Sequence, residues 1–305
     1  MSRFLKFFLL MLGCLTLSGR VLAEDGVLNQ LEHGPLPKIV VPSVERQTLG
    51  SGIQMLLLPD RELPVVRGYL FIKTGSIYED PSKLGLAELT GDLLRRGGTL
   101  HTPANALDEK LAGMGAEISS DISRDNGLIS FKCLKEDLPE VLRLVFEMMR
   151  EPAFDPQKLA IEKIQMLEGL RRQNDNPAEI AAREFPKQIY GKDNPWSRTP
   201  EASHIQGLTQ EDVKNFHRQF YYPDRIIFAL SGDFNPSDAL KEIEQLTQSW
   251  PKAPAPLPEV APLTPTWRSE TFLTPKEADQ ATIFLGHYGD KRFNPDKYAI
   301  LLLNE

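Results

Sequence analysis

The chain is poor in the residues that make covalent staples and soft-metal sites. It has only two cysteines in 305 residues. Cys14 falls in an N-terminal segment that reads as a cleavable leader, so Cys133 is left alone. That excludes an internal disulfide and a cysteine-built zinc site in the mature chain. Cys133 sits in the alternating run Leu128-Ile129-Ser130-Phe131-Lys132-Cys133-Leu134, where it reads as a small buried strand residue and not as a nucleophile. Histidine is equally sparse. His33, His101, His204, His217 and His287 are scattered, and no two lie three or four residues apart, the spacing that puts a ligand pair on one helix face. Excess positive charge is also missing. The formal net charge is −7 and no later Lys/Arg block occurs, which argues against a nucleic-acid partner and a polybasic membrane patch. The apolar run Phe7 to Leu17 is too short to span a bilayer.

What is present is ordinary globular material, 41% hydrophobic and 25% charged, in a length that suits two modest domains. Arg3 and Lys6 precede the short apolar run, and Val21-Leu22-Ala23 offers a small-residue cleavage site, so residues 1–23 read as a signal peptide removed after Ala23. The expectation is a periplasmic or secreted protein with no membrane contact once the leader is cleaved. The rivals are lipidation at Cys14, which the short preceding run fits poorly, and an uncleaved anchor. Residues 24–48 read as an extended lead-in.

Residues 49–250 carry a mixed pattern. Gln54–Leu58 and Val65–Lys73 are strand-like, and Pro59-Asp60-Arg61 between them suggests an early hairpin. Leu84–Arg95 has a helical period, and a second helix is expected from Thr102 as N-cap and Pro103 at its first position. Strands follow at Ala116–Ser123 and Gly127–Leu134. Helices are expected at Leu138–Met149, Pro156–Arg172, Asn176–Tyr190, Thr209–Phe220 and Pro236–Ser249, with a buried-type strand at Arg225–Gly232. Paired strands and grouped helices predict an α+β fold with a largely antiparallel sheet covered by helices. Residues 251–268 are a Pro-rich, semi-stiff linker. Residues 269–305, with a strand at Ala281–His287 and a helix from Pro295, read as the start of a second domain, truncated at Glu305. An apolar helix ending there predicts poor solubility unless a partner covers it.

The stretch GLAELTGDLLRRGGT, Gly85–Thr99, is the first of five ordered landmarks. The others are Glu151-Pro152-Ala153-Phe154, Asp175-Asn176-Pro177, Tyr221-Tyr222-Pro223-Asp224 and Leu230-Ser231-Gly232-Asp233-Phe234. Together they resemble the pitrilysin, insulinase and processing-peptidase family of zinc metallopeptidases, in its smaller bacterial form. The resemblance covers about Leu49 to Glu305 and implies the processing-peptidase-like metallohydrolase fold. It also implies zinc held by an inverted His-x-x-Glu-His motif whose Glu is the general base, with a third Glu ligand from the long downstream helix. Here the first His position holds Glu88, the base position Gly91 and the second His position Asp92. The third-ligand position falls on Glu168, or on Gly169 if the alignment slips by one.

Neither imidazoles nor a base remain, so no metal and no catalytic residue is expected. Glu88 and Asp92 can be simply the polar face of a helix whose other face is Leu86, Leu89 and Leu93. They can pair with Arg95, Arg96 or another chain, or, with Glu168, offer three carboxylates to a hard cation. The leading expectation is an exported, non-catalytic subunit that forms a peptide-binding chamber with a motif-bearing peptidase of the same family. The alternatives are an active metallopeptidase with a rearranged site and a stand-alone peptide-binding scaffold.

Overall fold

The structure, a computed structural model, describes residues 41–260, 262–263, 269–289 and 293–303. The chain divides into two units, residues 1–42 and 43–305. Of the first unit only Val41 and Pro42 are described, and every described strand and helix belongs to the second. The expected signal peptide, its cleavage after Ala23, the Cys14 alternative and most of the lead-in lie outside the described residues.

The elements follow the period of the side chains. Strands β1 (Glu45–Thr48), β2 (Gln54–Pro59) and β3 (Val65–Ile72) come first. Helices α1 (Leu86–Arg96) and α2 (Ala104–Met114) lead to the hairpin of β4 (Glu117–Ile122) and β5 (Gly127–Leu134). Then come α3 (Leu138–Arg150), α4 (Pro156–Arg172), α5 (Pro177–Tyr190), α6 (Ala202–Gly207) and α7 (Gln210–Phe220). Strand β6 (Ile226–Gly232) and helix α8 (Pro236–Thr247) complete the domain, and α9 (Lys297–Leu303) lies in the C-terminal segment. The starts of α4, α5, α7 and α8 are set by Asp155, Asn176, Thr209 and Asn235, whose side chains accept from first-turn amides. At α7 the reciprocal capping box forms with Asp212 in the position usually held by Glu or Gln.

The sheet has six strands in the order β1-β2-β6-β3-β5-β4. All pairings are antiparallel except β2 with β6. The early hairpin is therefore a misreading: β6 inserts between β2 and β3. Its run Ile-Ile-Phe-Ala-Leu is apolar on both faces, which fits a central strand and would be a liability at an edge. The link after β2 is instead held to β6 by the Asp60 amide donating to Gly232 O at 2.7 Å.

Three further expectations shift. Strand β1 lies in the stretch read as lead-in. Helix α2 starts one residue later than expected, with Pro103 as its N-cap. The Thr102 hydroxyl is not a cap because it donates to Glu147 Oε1 at 3.1 Å, while the Thr102 amide donates to Thr99 Oγ1 at 2.7 Å. Residues 281–289 form no strand. No neighbouring strand among the described residues offers its backbone groups, and Leu285 is 97% exposed. That segment instead leans on α5, with Phe284 against Phe185 at 5.9 Å and the Tyr288 hydroxyl donating to Ile189 O.

Alternate strand residues (Met55, Leu57, Leu70, Ile129, Phe131, Phe228) are buried against the helices, which lie on one side of the sheet. The apolar face of α3, including Val141, Leu142, Val145 and Phe146, fills that interface. Helix α1 is buried along most of its length, through Leu86, Ala87, Leu89, Thr90, Gly91, Leu93 and Leu94. It packs against β4, α4 and α7. Its exit is the Gly97-Gly98-Thr99 turn. Gly98 is left-handed there at φ 70°, and a Cβ would stand 2.5 Å from the Ala104 nitrogen, so only glycine makes the turn.

Candidate functional site

The polar face of α1 meets α4 in a cavity of about 300 Å³ lined by Glu88, Asp92, Arg96, Glu162, Gln165, Met166, Gly169, Leu170, Pro200 and Ile205. Helical geometry explains the set. Residues 88, 92 and 96 recur every four positions on α1, and residues 162, 165 or 166, and 169 recur at three, four and seven positions on α4, so each group shares one face.

Of the sequence-expected residues, Glu88 and Asp92 stand together in this cavity. Glu168 does not line it. Its carboxylate pairs with Arg171 three residues on, on an exposed side of α4. The residue of α4 that faces Glu88 and Asp92 is Gly169, so the slipped alignment is the correct one and the third-ligand position also lacks a side chain. A Cβ at Gly169 would meet nothing within 4 Å, so the position has room for one.

Gly91 is different. A Cβ there would stand 3.0 Å from the Ile122 nitrogen and 3.1 Å from its Cγ1, with the Asp121 carbonyl carbon at 3.3 Å. The end of β4 has closed on the position that would carry the base.

Two residues not singled out for this site from sequence dominate it, Glu162 and Gln165. Glu162 is 3% exposed, and its Oε2 accepts from Arg96 Nη1 at 2.7 Å; the same Nη1 donates to Gln165 Oε1 at 3.0 Å. The signal was available: Glu162 precedes Gly169 by two helical turns. The pairing expected for Glu88 or Asp92 with Arg95 or Arg96 is not formed. Arg95 donates to Asp108 at 2.7 Å and to Ile118 O at 3.0 Å, and Arg96 is committed to Glu162. Burial raises the Glu88 carboxyl above its ordinary range, with Asp92 and Asp121 adding to it. Asp92 is raised too, by burial first and then by Glu162 and Asp121, while Arg96 opposes the shift. Glu88 remains solvent-exposed, so its shift says little about stability. Glu162 and Asp92 hold the Arg96 guanidinium firmly charged.

The zinc implied by the fold does not fit these residues. The α1 positions offer carboxylates, α4 offers a glycine, and the deepest carboxylate is already neutralised by a guanidinium. Among the described residues, no three His, Cys, Asp or Glu side chains come together in a way that could hold a metal ion. Nor do the described histidines converge. His101 pairs with Glu151 at 2.6 Å, and His204 closes the capping box of α6. His217 is buried between Phe154 and Tyr221, contacts Met149 O through Nε2 at 2.8 Å, and is pushed down to about 4 by burial. Cys133, free and buried, is pushed up to about 12, again by burial, which leaves it inert as a nucleophile.

One acid beside the site titrates near neutrality. Glu79 is 7% exposed and accepts from the Ala87 amide at 2.7 Å, at the start of α1. Burial lifts it to about 7, against the pull of the Ala87 and Gly85 amides and Arg198. An acid raised on folding contributes stability below its unfolded value that is lost as pH rises through the folded one. Stability should therefore fall from about pH 5 to about pH 8, and E79Q, which cannot ionise, should flatten that fall. Urea unfolding of both proteins at the two pH values checks this; parallel pH profiles would refute it.

Comparison with known proteins agrees with this geometry. The insulinase (peptidase family M16) domain pattern matches residues 55–199, and the pattern described as peptidase M16 inactive domain matches residues 207–305. An uncharacterized zinc protease of Streptomyces coelicolor is 24% identical over 93% of this chain and 62% of its own length. Another, from Bacillus subtilis, is 23% identical over 86% and 63%. The beta subunit of the mitochondrial-processing peptidase of Saccharomyces cerevisiae is 21% identical over 76% and 51%. The chain thus spans about half to two thirds of the length of these relatives. Among solved structures, a peptidase M16 inactive domain from Pseudomonas fluorescens superposes with a TM-score of 0.67 at 29% identity, over 73% of this chain and 54% of that one. The periplasmic protease PqqL of Escherichia coli shares the fold, with a TM-score of 0.65 at 19% identity over 74% and 26%. On sequence pattern, fold and the position of its degenerate cavity, the chain belongs to peptidase family M16.

Proposed function

We propose that this chain is a non-catalytic M16 subunit, exported to the periplasm or beyond by its leader, that lends one wall of a peptide-binding chamber to a motif-bearing peptidase of the same family. The carrying observation is the composition of the α1–α4 cavity. Glu88, Gly91, Asp92 and Gly169 stand where two imidazoles, a base and a third carboxylate would be needed, and the Arg96–Glu162 pair spans the two helices. Losing a general base alone typically costs about 10²–10⁴ in rate. Relatives named as alpha and beta subunits of the mitochondrial-processing peptidase support a paired arrangement. No described helix is long and apolar enough to cross a membrane, which is consistent with a subunit released from its leader.

The domain plan that goes with this reading is one peptidase-like domain over about 49–250, a linker over 251–268 and the start of a second domain from 269. Affinity purification from cells expressing a motif-bearing family member should recover that peptidase, with zinc counted only on the partner. The isolated chain should carry no stoichiometric zinc by elemental analysis and cleave no peptide. Zinc-dependent cleavage by the isolated chain, lost on changing Glu88 or Asp92, would overturn the reading.

A further inference from the structure

The sheet is covered by helices on one face only, and the other face is not polar as an uncovered face usually is. Directly opposed residues share a face, so its surface can be read from the register. Phe71 on β3 lies between Ile227 on β6 and Leu128 on β5, and Tyr69, one row on, lies beside Ala229. Phe71 is 42% and Tyr69 40% exposed, while Ile227 and Leu128 are half-buried. In the next row Arg67 stands directly opposite Lys132. Both are exposed, and neither makes an ion pair or a side-chain hydrogen bond among the described residues. Like charges directly opposed across two strands weaken the pairing. The acids of this face, Asp121 and Glu117, stand on the edge strand β4, the latter across from Lys132. An apolar, aromatic strip on the inner strands therefore ends in two adjacent cations, on a molecule whose net charge is −7.

We propose that this open sheet face docks a peptide segment that presents apolar side chains next to a carboxylate. The apolar strip excludes water beneath the segment, and the carboxylate relieves the Arg67–Lys132 repulsion, which no group of the chain does from the inner strands. A basic segment would meet those cations unfavourably, so the face selects by charge as well as by apolar contact. The inference does not depend on the subunit reading. That reading fails if no peptidase co-purifies, whereas this one concerns what the chain binds by itself.

The test uses the full chain and two labelled peptides, one alternating Leu and Glu and the other alternating Leu and Lys, followed by fluorescence anisotropy. The acidic peptide should bind about ten-fold more tightly at low salt, and high salt should shrink the difference. R67E/K132E should reverse the preference, R67Q/K132Q should abolish it, and F71S should weaken both peptides. All these positions are exposed, and circular dichroism checks the fold; should F71S misfold, the charge variants still decide. Equal affinity for the two peptides, or a preference untouched by R67E/K132E, would overturn the proposal. So would self-association of the chain that F71S abolishes, which would mean that a second copy covers the face.

Discussion

Replacing Arg96 with methionine should destabilise the protein by about 3 kcal/mol, because it leaves the Glu162 carboxylate buried with no cation. Glu162 is 3% exposed, and Arg96 Nη1 at 2.7 Å is its ion-pair partner. Removing one member of a buried pair typically costs about 3–5 kcal/mol, and the lower end applies because the Arg96 side chain is itself 50% exposed. The loss should be conditional. In R96M/E162Q the buried group no longer needs a counter-charge, so the double variant should recover about half or more of what R96M loses. Urea titration of the four proteins measures the coupling. Strictly additive losses would mean that Arg96 contributes packing alone and that α1 and α4 are not joined through this pair.

Restoring the base by G91E should cost about 3 kcal/mol or more and yield no peptidase activity, even combined with E88H, D92H and G169E. At Gly91 the competing terms can be compared directly. Alanine in a helix interior is favoured over glycine by about 1 kcal/mol, but forcing a methyl into a filled space costs about 1–3 kcal/mol. With the Ile122 amide nitrogen 3.0 Å from the added carbon, and backbone unable to swing aside as a flexible side chain would, the second term wins. G91A should thus lose about 1 kcal/mol, and glutamate adds a carboxylate that must also be desolvated. The contrast is G169E, which points into open space and should unfold close to wild type. Thermal denaturation of the three single variants checks the order. A G91E protein as stable as wild type would show that β4 leaves room for a base after all.

Most helices and strands were legible because their signals are local. Asp155-Pro156, Asn176-Pro177 and Asn235-Pro236 place a cap directly before a proline at the first helical position, and each of the three helices starts there. The alternation in Gly127–Leu134 marks β5 with its bounds. Strand order was not legible. Nothing near Pro59 says that β6, far along the chain, will pair in parallel with β2; that depends on which strand can lose both faces to its neighbours. Ala281–His287 misled for the related reason that a strand is defined by its partner. Thr102 misled because two neighbours compete for its groups, the first turn of α2 and the buried Glu147, and Glu147 takes the hydroxyl.

At the site itself, the sequence alone determined that two imidazoles and a base are missing, since Glu88, Gly91 and Asp92 are matters of identity and helical spacing. Only the tertiary structure decided between Glu168 and Gly169. One residue on a helix rotates the side chain by about 100°, enough to turn it from the cavity toward solvent, and the direction that counts is set by how α4 packs on α1. The same packing brought Arg96 to Glu162 and pressed β4 against Gly91. Those contacts join residues far apart in the chain, and they turn a list of missing ligands into a cavity spanned by an ion pair.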